Sequence, residues 1–160
     1  MNITKADIGD KETLQRLMQA YLHDLSPYTG DAVGADGRYN LGKYFDCYWT
    51  EPQRYPYLFK DENGGTVGFA LVREVEGGGH AIAEFSISAA YRGKGLGRRF
   101  AWMLFERHPG KWTVAEIESN APAIAFWRRV ISERTHGAFS ETWSDQQPRG
   151  PMQTFEIPAQ

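Results

Sequence analysis

Between Ala81 and Arg99 the chain passes from an apolar stretch holding one acid, Glu84, into a glycine-rich turn with four cations. The turn and its approach read Phe85-Ser86-Ile87-Ser88-Ala89-Ala90-Tyr91-Arg92-Gly93-Lys94-Gly95-Leu96-Gly97-Arg98-Arg99. The pattern predicts a strand that feeds a turn, and a turn that opens a helix. The first N–H groups of a helix have no intrahelical acceptor, and they sit where the helix carries roughly half an elementary positive charge. Glycines let that backbone approach a ligand and adopt conformations closed to other residues. Arg92, Lys94, Arg98 and Arg99 add charge around it. Such a site suits an anion, a pyrophosphate above all. The alternative is a solvated, cationic helix start after a tight turn. Gly93, Gly95 and Gly97 fit neither G-x-x-x-x-G-K-[S/T] nor G-x-G-x-x-G. The turn also follows strands of antiparallel pattern rather than opening a βαβ unit, which disfavours a dinucleotide fold.

The elements that must position this turn can be read from periodicity. A short strand is expected over 3–6, then a helix capped by Asp7 or Asp10. Leu14, Leu17, Met18, Tyr21, Leu22 and Leu25 form its apolar face, and Ser26-Pro27 is expected to end it. A Gly- and Asp-rich loop over 28–39 precedes a second, shorter helix over 41–49. Strands over 57–60 and 66–75 flank the turn Asp61-Glu62-Asn63-Gly64-Gly65. A strand over 80–88 should carry Ala81, Ala83, Phe85 and Ile87 on one face. A helix from the glycine turn ends at His108-Pro109-Gly110, a strand covers 112–117, and a helix covers 120–130 with Asn120 as its cap and Pro122 in its first turn. Strands over 139–143 and 153–157 close the chain as a hairpin. The order β-α-α-β-β-β-α-β-α-β-β predicts an α/β (α+β) fold, a mixed, mostly antiparallel central sheet with helices on both faces.

Composition narrows the class of protein. A chain of 160 residues with 41% hydrophobic and 24% charged residues fits one globular domain, and no linker or repeat divides residues 1–160. The net charge of −2 gives no argument for a nucleic-acid partner, and none is expected. One cysteine, Cys47, excludes an internal disulfide and a multi-cysteine zinc site. A cytoplasmic setting is therefore expected. No apolar run approaches the roughly 20 residues of a membrane span, and the first six residues lack the apolar core of a signal peptide. No metal is expected, since His23, His80, His108 and His136 lack ligand spacing.

Arg92-Gly93-Lys94-Gly95-Leu96-Gly97 resembles the R/Q-x-x-G-x-G/A signature of the GNAT superfamily of acyl-CoA-dependent N-acetyltransferases. Asn120-Ala121-Pro122-Ala123-Ile124-Ala125-Phe126-Trp127 is similar to the N-x-x-A-I-x-hydrophobic-Tyr segment found on a later helix of that family. The element order agrees from Ile3 to the final hairpin. Tyr48-Trp49-Thr50-Glu51-Pro52 also resembles a segment of an uncharacterised bacterial subgroup, which brings no substrate with it.

The resemblance implies acetyl-CoA as co-substrate and an amine as acceptor. The strand before the turn would splay from its parallel neighbour. Backbone groups of Phe85, Ile87 and Ser88 would hold the pantetheine arm. N–H groups from Arg92 through Gly93, Lys94, Gly95 and Leu96 to Gly97, with Arg98, would hold the pyrophosphate. Asn120 would reach the pantetheine, cap its helix, or both. Glu84, an acid in an apolar strand beside the groove, is the candidate general base, its pKa raised by burial; its other reading is a structural ion pair with a nearby arginine. A strand bulge, frequent in this family, would change the face it occupies.

One position departs from the pattern. Trp127 stands where many relatives carry a tyrosine that protonates the leaving thiolate. An indole N–H is not a usable acid. Trp127 is left as a wall of the cleft, and the thiolate would take its proton from water, from the new amide nitrogen or from another tyrosine. Two alternatives to acetyl transfer follow: a domain that binds CoA without turnover, and an acyltransferase for a longer chain. The aromatic run Tyr44, Phe45, Tyr48, Trp49, Tyr55 and Tyr57 reads as core or as a wall for an ammonium. Cys47 reads as a buried inert thiol, His80 as a strand-edge residue or a second proton acceptor, His108 as a helix C-terminal cation, and Arg128-Arg129 as a solvated face. The terminal hairpin offers an edge at which a homodimer could form.

Overall fold

The computed structural model describes all 160 residues. Its strands are β1 (Asn2–Lys5), β2 (Arg54–Lys60), β3 (Thr66–Glu74), β4 (His80–Ile87), β5 (Gly110–Ala115), β6 (Phe139–Ser144) and β7 (Gly150–Ile157). Its helices are α1 (Lys11–Thr29), α2 (Leu96–Arg107) and α3 (Ala121–Thr135). The seven strands make one sheet in the order β1-β2-β3-β4-β5-β7-β6. Every neighbouring pair is antiparallel except β4 and β5. The expected mixed, mostly antiparallel sheet with helices on both faces is the fold.

Both faces of the central strands are covered, which is why β2 and β3 are nearly continuous apolar runs. Tyr57, Phe59, Val67, Ala70 and Val72 face the core under α2 and α3, together with Phe100, Leu104 and Val130. Leu58, Phe69 and Leu71 face the opposite core, which Leu14 and Met18 of α1 complete.

Helix α1 runs past the expected stop at Ser26-Pro27 and ends at Thr29. Proline removes the N–H that would bond the carbonyl four residues back, here His23. Ser26 Oγ donates to that carbonyl at 2.7 Å instead, so the helix continues. Gly30, at φ 75°, then ends it in the left-handed conformation.

The second helix expected over 41–49 is absent. Gly42 at φ 88° breaks any helical run, and only a 3₁₀ turn, Asp46–Trp49, follows. Tertiary contacts fix this segment. Phe45 and Tyr48 are buried against α1, and the Trp49 indole donates to the Asp7 carbonyl at 2.9 Å. The loop before it is pinned by a reciprocal pair: Gln19 Nε2 donates to the Tyr39 carbonyl and Tyr39 N–H donates to Gln19 Oε1, both at 2.8 Å.

Strand β4 departs from simple alternation. Leu71 pairs with Glu84 and Val72 pairs with Ile82, so Ala83 is an extra, unpaired residue. This bulge puts Ile82, Phe85 and Ile87 on the α2/α3 core and leaves Ala83 on the α1 core. The expected grouping of Ala83 with Phe85 and Ile87 is therefore corrected.

Close backbone approach requires glycine at position 68 of β3. A Cβ on Gly68 would run into the Ser86 carbonyl and lie 3.0 Å from the Phe59 ring. Gly68→Ala is expected to cost about 1–3 kcal/mol of stability, read as a lowered midpoint in urea denaturation.

Candidate active site

Strands β4 and β5 pair at only two positions, His80↔Trp112 and Ala81↔Thr113. Beyond them the strands part, and the bulge at Ala83 bends β4 away at the point of separation. The V between them opens into a cleft of about 370 Å³. Tyr21 of α1, Glu84 and Phe85 of β4, Glu116 just after β5, and Asn120 and Trp127 of the α3 region all line it. Asp31, Glu84 and Glu116 are its only charged residue types; no Lys, Arg or His lines it.

Backbone polarity on β4 is set by the antiparallel ladder with β3. Ser88 N–H donates to the Val67 carbonyl at 2.9 Å. Bonding direction alternates along such a strand, so the amides of Phe85 and Ile87 point into the V while those of Glu84, Ser86 and Ser88 point to β3. The structure thus turns the Phe85 and Ile87 backbone away from β3, where the Phe85 backbone meets the Tyr21 hydroxyl and the Ile87 carbonyl accepts from Arg92, and commits the Ser88 amide to β3.

The glycine turn lies at the open end of β4. A 3₁₀ turn, Ala89–Tyr91, leads into it. Gly93 and Gly95 are left-handed, at φ 77° and 76°, and Gly95 is the cap of α2. Gly97 has a different reason. A Cβ there would sit 3.0 Å from the Phe126 ring, so its absence lets α2 and α3 approach. No N–H from Gly93 to Arg98 has a backbone or side-chain acceptor within the chain. These groups, with Lys94 exposed beside them, form a row of free donors at a helix N-terminus, a fit for phosphate oxygens.

Arg92 sits differently from its expected role. Its N–H bonds the Ala89 carbonyl at 3.3 Å. Its guanidinium donates to the Ile87 carbonyl and to Asp24 of α1, both at 2.7 Å. Arg92 therefore ties the turn to β4 and α1, and the free donors begin at Gly93. Arg98 pairs loosely with Glu133 at 3.4 Å.

Glu84 forms no ion pair. Its polar neighbour is the hydroxyl of Tyr21, which also lies against the Phe85 backbone. Burial pushes the Glu84 carboxyl up to about 7, and Tyr21 opposes the rise. The phenol in turn is pushed well above its usual value, by burial first and then by Glu84. The arginine partner considered for Glu84 is thus replaced by a tyrosine.

Asn120 caps α3, its Oδ1 accepting from Ala123 N–H at 3.2 Å, and it is largely buried at the cleft. Trp127 is buried and packs edge-on against Phe85 at 4.9 Å between ring centroids. Leu96 begins α2 and packs against the α2/α3 core.

Two residues of the cleft escaped the sequence reading. Tyr21 sat within the apolar stripe of α1, where its hydroxyl carried no separate signal. Glu116 interrupts Trp112-Thr113-Val114-Ala115-Glu116-Ile117 just as Glu84 interrupts Ala81-Ile82-Ala83-Glu84-Phe85, so the same signal was present. Glu116 is 4% exposed, and burial pushes its carboxyl up to about 8.

Other expectations are corrected here. His80 pairs with Trp112 at the closed end of the V and does not line the cleft. His108 is no cation: Tyr57 hydroxyl lies 2.7 Å from its Nε2, and burial, aided by His80 and Arg107, pushes it down to about 4. Cys47 is partly exposed rather than buried, and the adjacent Glu51 pushes its thiol up. Arg128 is not merely solvated, since it grips Glu141 with two bonds of 2.8 Å. Among the aromatics, Phe45, Tyr48 and Tyr57 are core.

The profile of the Acetyltransferase (GNAT) family matches residues 15–131. The chain belongs to this family. Acyl transfer is therefore its class of chemistry. No curated protein matches the chain in sequence. Among solved structures, the GNAT chain is similar to the ribosomal-protein-S18-alanine N-acetyltransferase of Escherichia coli (TM-score 0.64, 15% identity, 99% of this chain and 95% of that one). It is similar to spermidine N-acetyltransferase of Vibrio cholerae, solved with CoA and spermine (TM-score 0.65, 11% identity, 98% and 95%). It is similar also to a GNAT-family acetyltransferase of Staphylococcus aureus (TM-score 0.61, 13% identity, 97% and 98%). At these identities the likeness is one of fold. No helix of the chain is long and apolar enough to cross a membrane.

The two raised carboxyls make stability depend on pH. Each folded pKa, about 7 and about 8, lies above the ordinary value of 4.5. The folded state thus binds protons that the unfolded state has released, and stability falls as pH rises from about 4.5 through about 8. Glu116→Gln is expected to flatten this decline by about 1–3 kcal/mol, read by urea denaturation near pH ~5 and pH ~9.

Proposed function

We propose that the chain is an acetyl-CoA-dependent N-acetyltransferase that moves the acetyl group to a primary amine by direct attack in a ternary complex. The observation that carries this reading is the V between β4 and β5 with Glu84 inside it and the free N–H row of Gly93–Arg98 at its end. The pyrophosphate of CoA matches the donor row. Pantetheine amides match the Phe85 and Ile87 backbone groups that the β3 ladder leaves over, as an added strand would, with the Ile87 carbonyl already held by Arg92. A backbone N–H of that edge can polarise the thioester carbonyl.

Only a neutral amine has a lone pair for attack. Glu84, half ionised near pH 7, accepts the proton. The acidic lining, free of Lys, Arg and His, suits an acceptor that arrives as an ammonium. Phe85, Phe126 and Trp127 fill the α3 side with one another, at centroid distances of 4.9 to 6.0 Å. That packing favours acetyl over a longer acyl chain.

Trp127 supports a second reading, a chain that binds CoA without turnover. Thiol release against polyamines, aminoglycosides, amino acids and peptide N-termini separates the two. Acetyl-CoA is expected to raise the melting temperature; no shift at millimolar ligand sinks both readings. Gly95→Val forces a branched side chain into the left-handed region and is expected to abolish the shift. Glu84→Gln is expected to keep the shift and slow turnover by about 10²–10⁴-fold.

A further inference from the structure

Glu116 is a buried acid in the cleft that the chemistry at Glu84 leaves unused. Gln153 Nε2 donates to its Oε1 at 2.8 Å, and its Oε2 is buried without a partner. The clamp on Oε1 is itself held. Gln153 is fully buried and also bonds Glu141 at 2.9 Å, and Arg128 grips Glu141. The backbone is fixed as well: Glu116 N–H donates to the Pro151 carbonyl at 3.1 Å, and a Cβ on Gly150 would strike the Glu116 carbonyl. One oxygen is thus tied to the sheet while the other is unclaimed, in a side chain that shares the cleft with Glu84, Asn120 and Trp127. The nearest cation of the network, Arg128, is already spent on Glu141.

We propose that Glu116 is the acid that protonates the departing CoA sulfur, the role that Trp127 cannot fill. The proposal rests on acetyl-CoA being the substrate. In the step, the amine, already relieved of its ammonium proton by Glu84, bonds through nitrogen to the carbonyl carbon, and the nitrogen's surplus proton passes to water. The C–S bond breaks, sulfur leaves with the electron pair, and it takes the proton of the Glu116 carboxyl. Nitrogen gives up two protons, one to Glu84 and one to water, and sulfur gains one from Glu116; Glu84 then releases its proton and Glu116 regains one, which closes the balance. A carboxyl at about 8 is close to a free thiol near 8.5, so the transfer is nearly matched. Tyr21 is the rival donor. Its phenol is held at Glu84 and pushed well above its usual value, which makes it the weaker acid.

Infrared difference spectra test this without an acceptor amine. In Glu84→Gln protein the C=O band of the protonated Glu116 carboxyl is expected to shift when CoA binds and to stay in place when dethio-CoA binds. Identical spectra for the two ligands overturn the proposal. With any amine that releases thiol, the wild-type rate is expected to fall on the acid side near pH ~7 and on the alkaline side near pH ~8. Glu116→Gln should lose the alkaline limb and fall about 10²-fold in kcat, with KM for acetyl-CoA unchanged. Tyr21→Phe should keep that limb. A Glu116→Gln enzyme with wild-type kcat and limb rejects the proposal, and if that variant does not fold, the infrared spectra decide alone. Failure of acetyl-CoA to bind at all removes the parent reading; binding with a carboxyl band indifferent to sulfur removes only the role of Glu116.

Discussion

A parallel strand pair that lasts for two register positions is the constraint on which the rest of the structure depends. Buried backbone N–H and C=O groups need partners, so a strand cannot leave its neighbour inside a fold without consequence. Here β4 leaves β5 after Ala81 and Thr113. On its other side β4 stays paired to β3 from His80 to Ile87 except at the bulged Ala83, which holds it in place. The groups left over on β4 become the lining of a cleft. The bulge at Ala83 makes the opening possible and turns Glu84 toward α1. The β5 side is held open by the sheet beyond it, where β7 lies between β5 and β6 and its start at Gly150–Pro151 catches the backbone of Glu116.

The opening divides the chemistry by charge. At the mouth, N–H groups and cations gather around the start of α2. Inside, the charged residue types are all acids. Glu84 and Glu116 lie in this cleft without a cation to pair them, so both hold protons far above the range of an exposed carboxyl. Their surroundings differ. Glu84 faces the Tyr21 hydroxyl, whereas Glu116 is clamped by a side-chain amide on the other core. Two carboxyls with different partners are the arrangement in which one can serve as base and the other as acid.

Arg92 joins this division to the scaffold. Its guanidinium spans the Ile87 carbonyl and Asp24 of α1, and so links the glycine turn to the end of β4 and to the first helix. The helix that supplies Asp24 also supplies Tyr21. It extends to Thr29 because Ser26 satisfies the carbonyl that Pro27 leaves free.

Much of this was legible in the chain itself. Strand periodicity, the Asp61–Gly65 turn, the cap at Asn120 and the glycines at Gly93 and Gly95 are local features, and each has a local physical cause: side-chain period, turn chemistry or a backbone angle closed to other residues. So is the presence of an acid in an apolar strand, which marked Glu84 and equally marked Glu116. Tertiary structure decided the rest. Whether residues 41–49 form a helix depended on Phe45, Tyr48 and Trp49 finding partners on α1 and at Asp7. The face of Glu84 depended on a bulge that only pairing with β3 defines. The fate of Arg92 depended on Asp24, 68 residues away in sequence, and that of Glu116 on Gln153, 37 residues away. Sequence spacing determines which groups a segment carries and how they alternate; it does not determine which distant group satisfies them, because that choice is made by packing across the sheet.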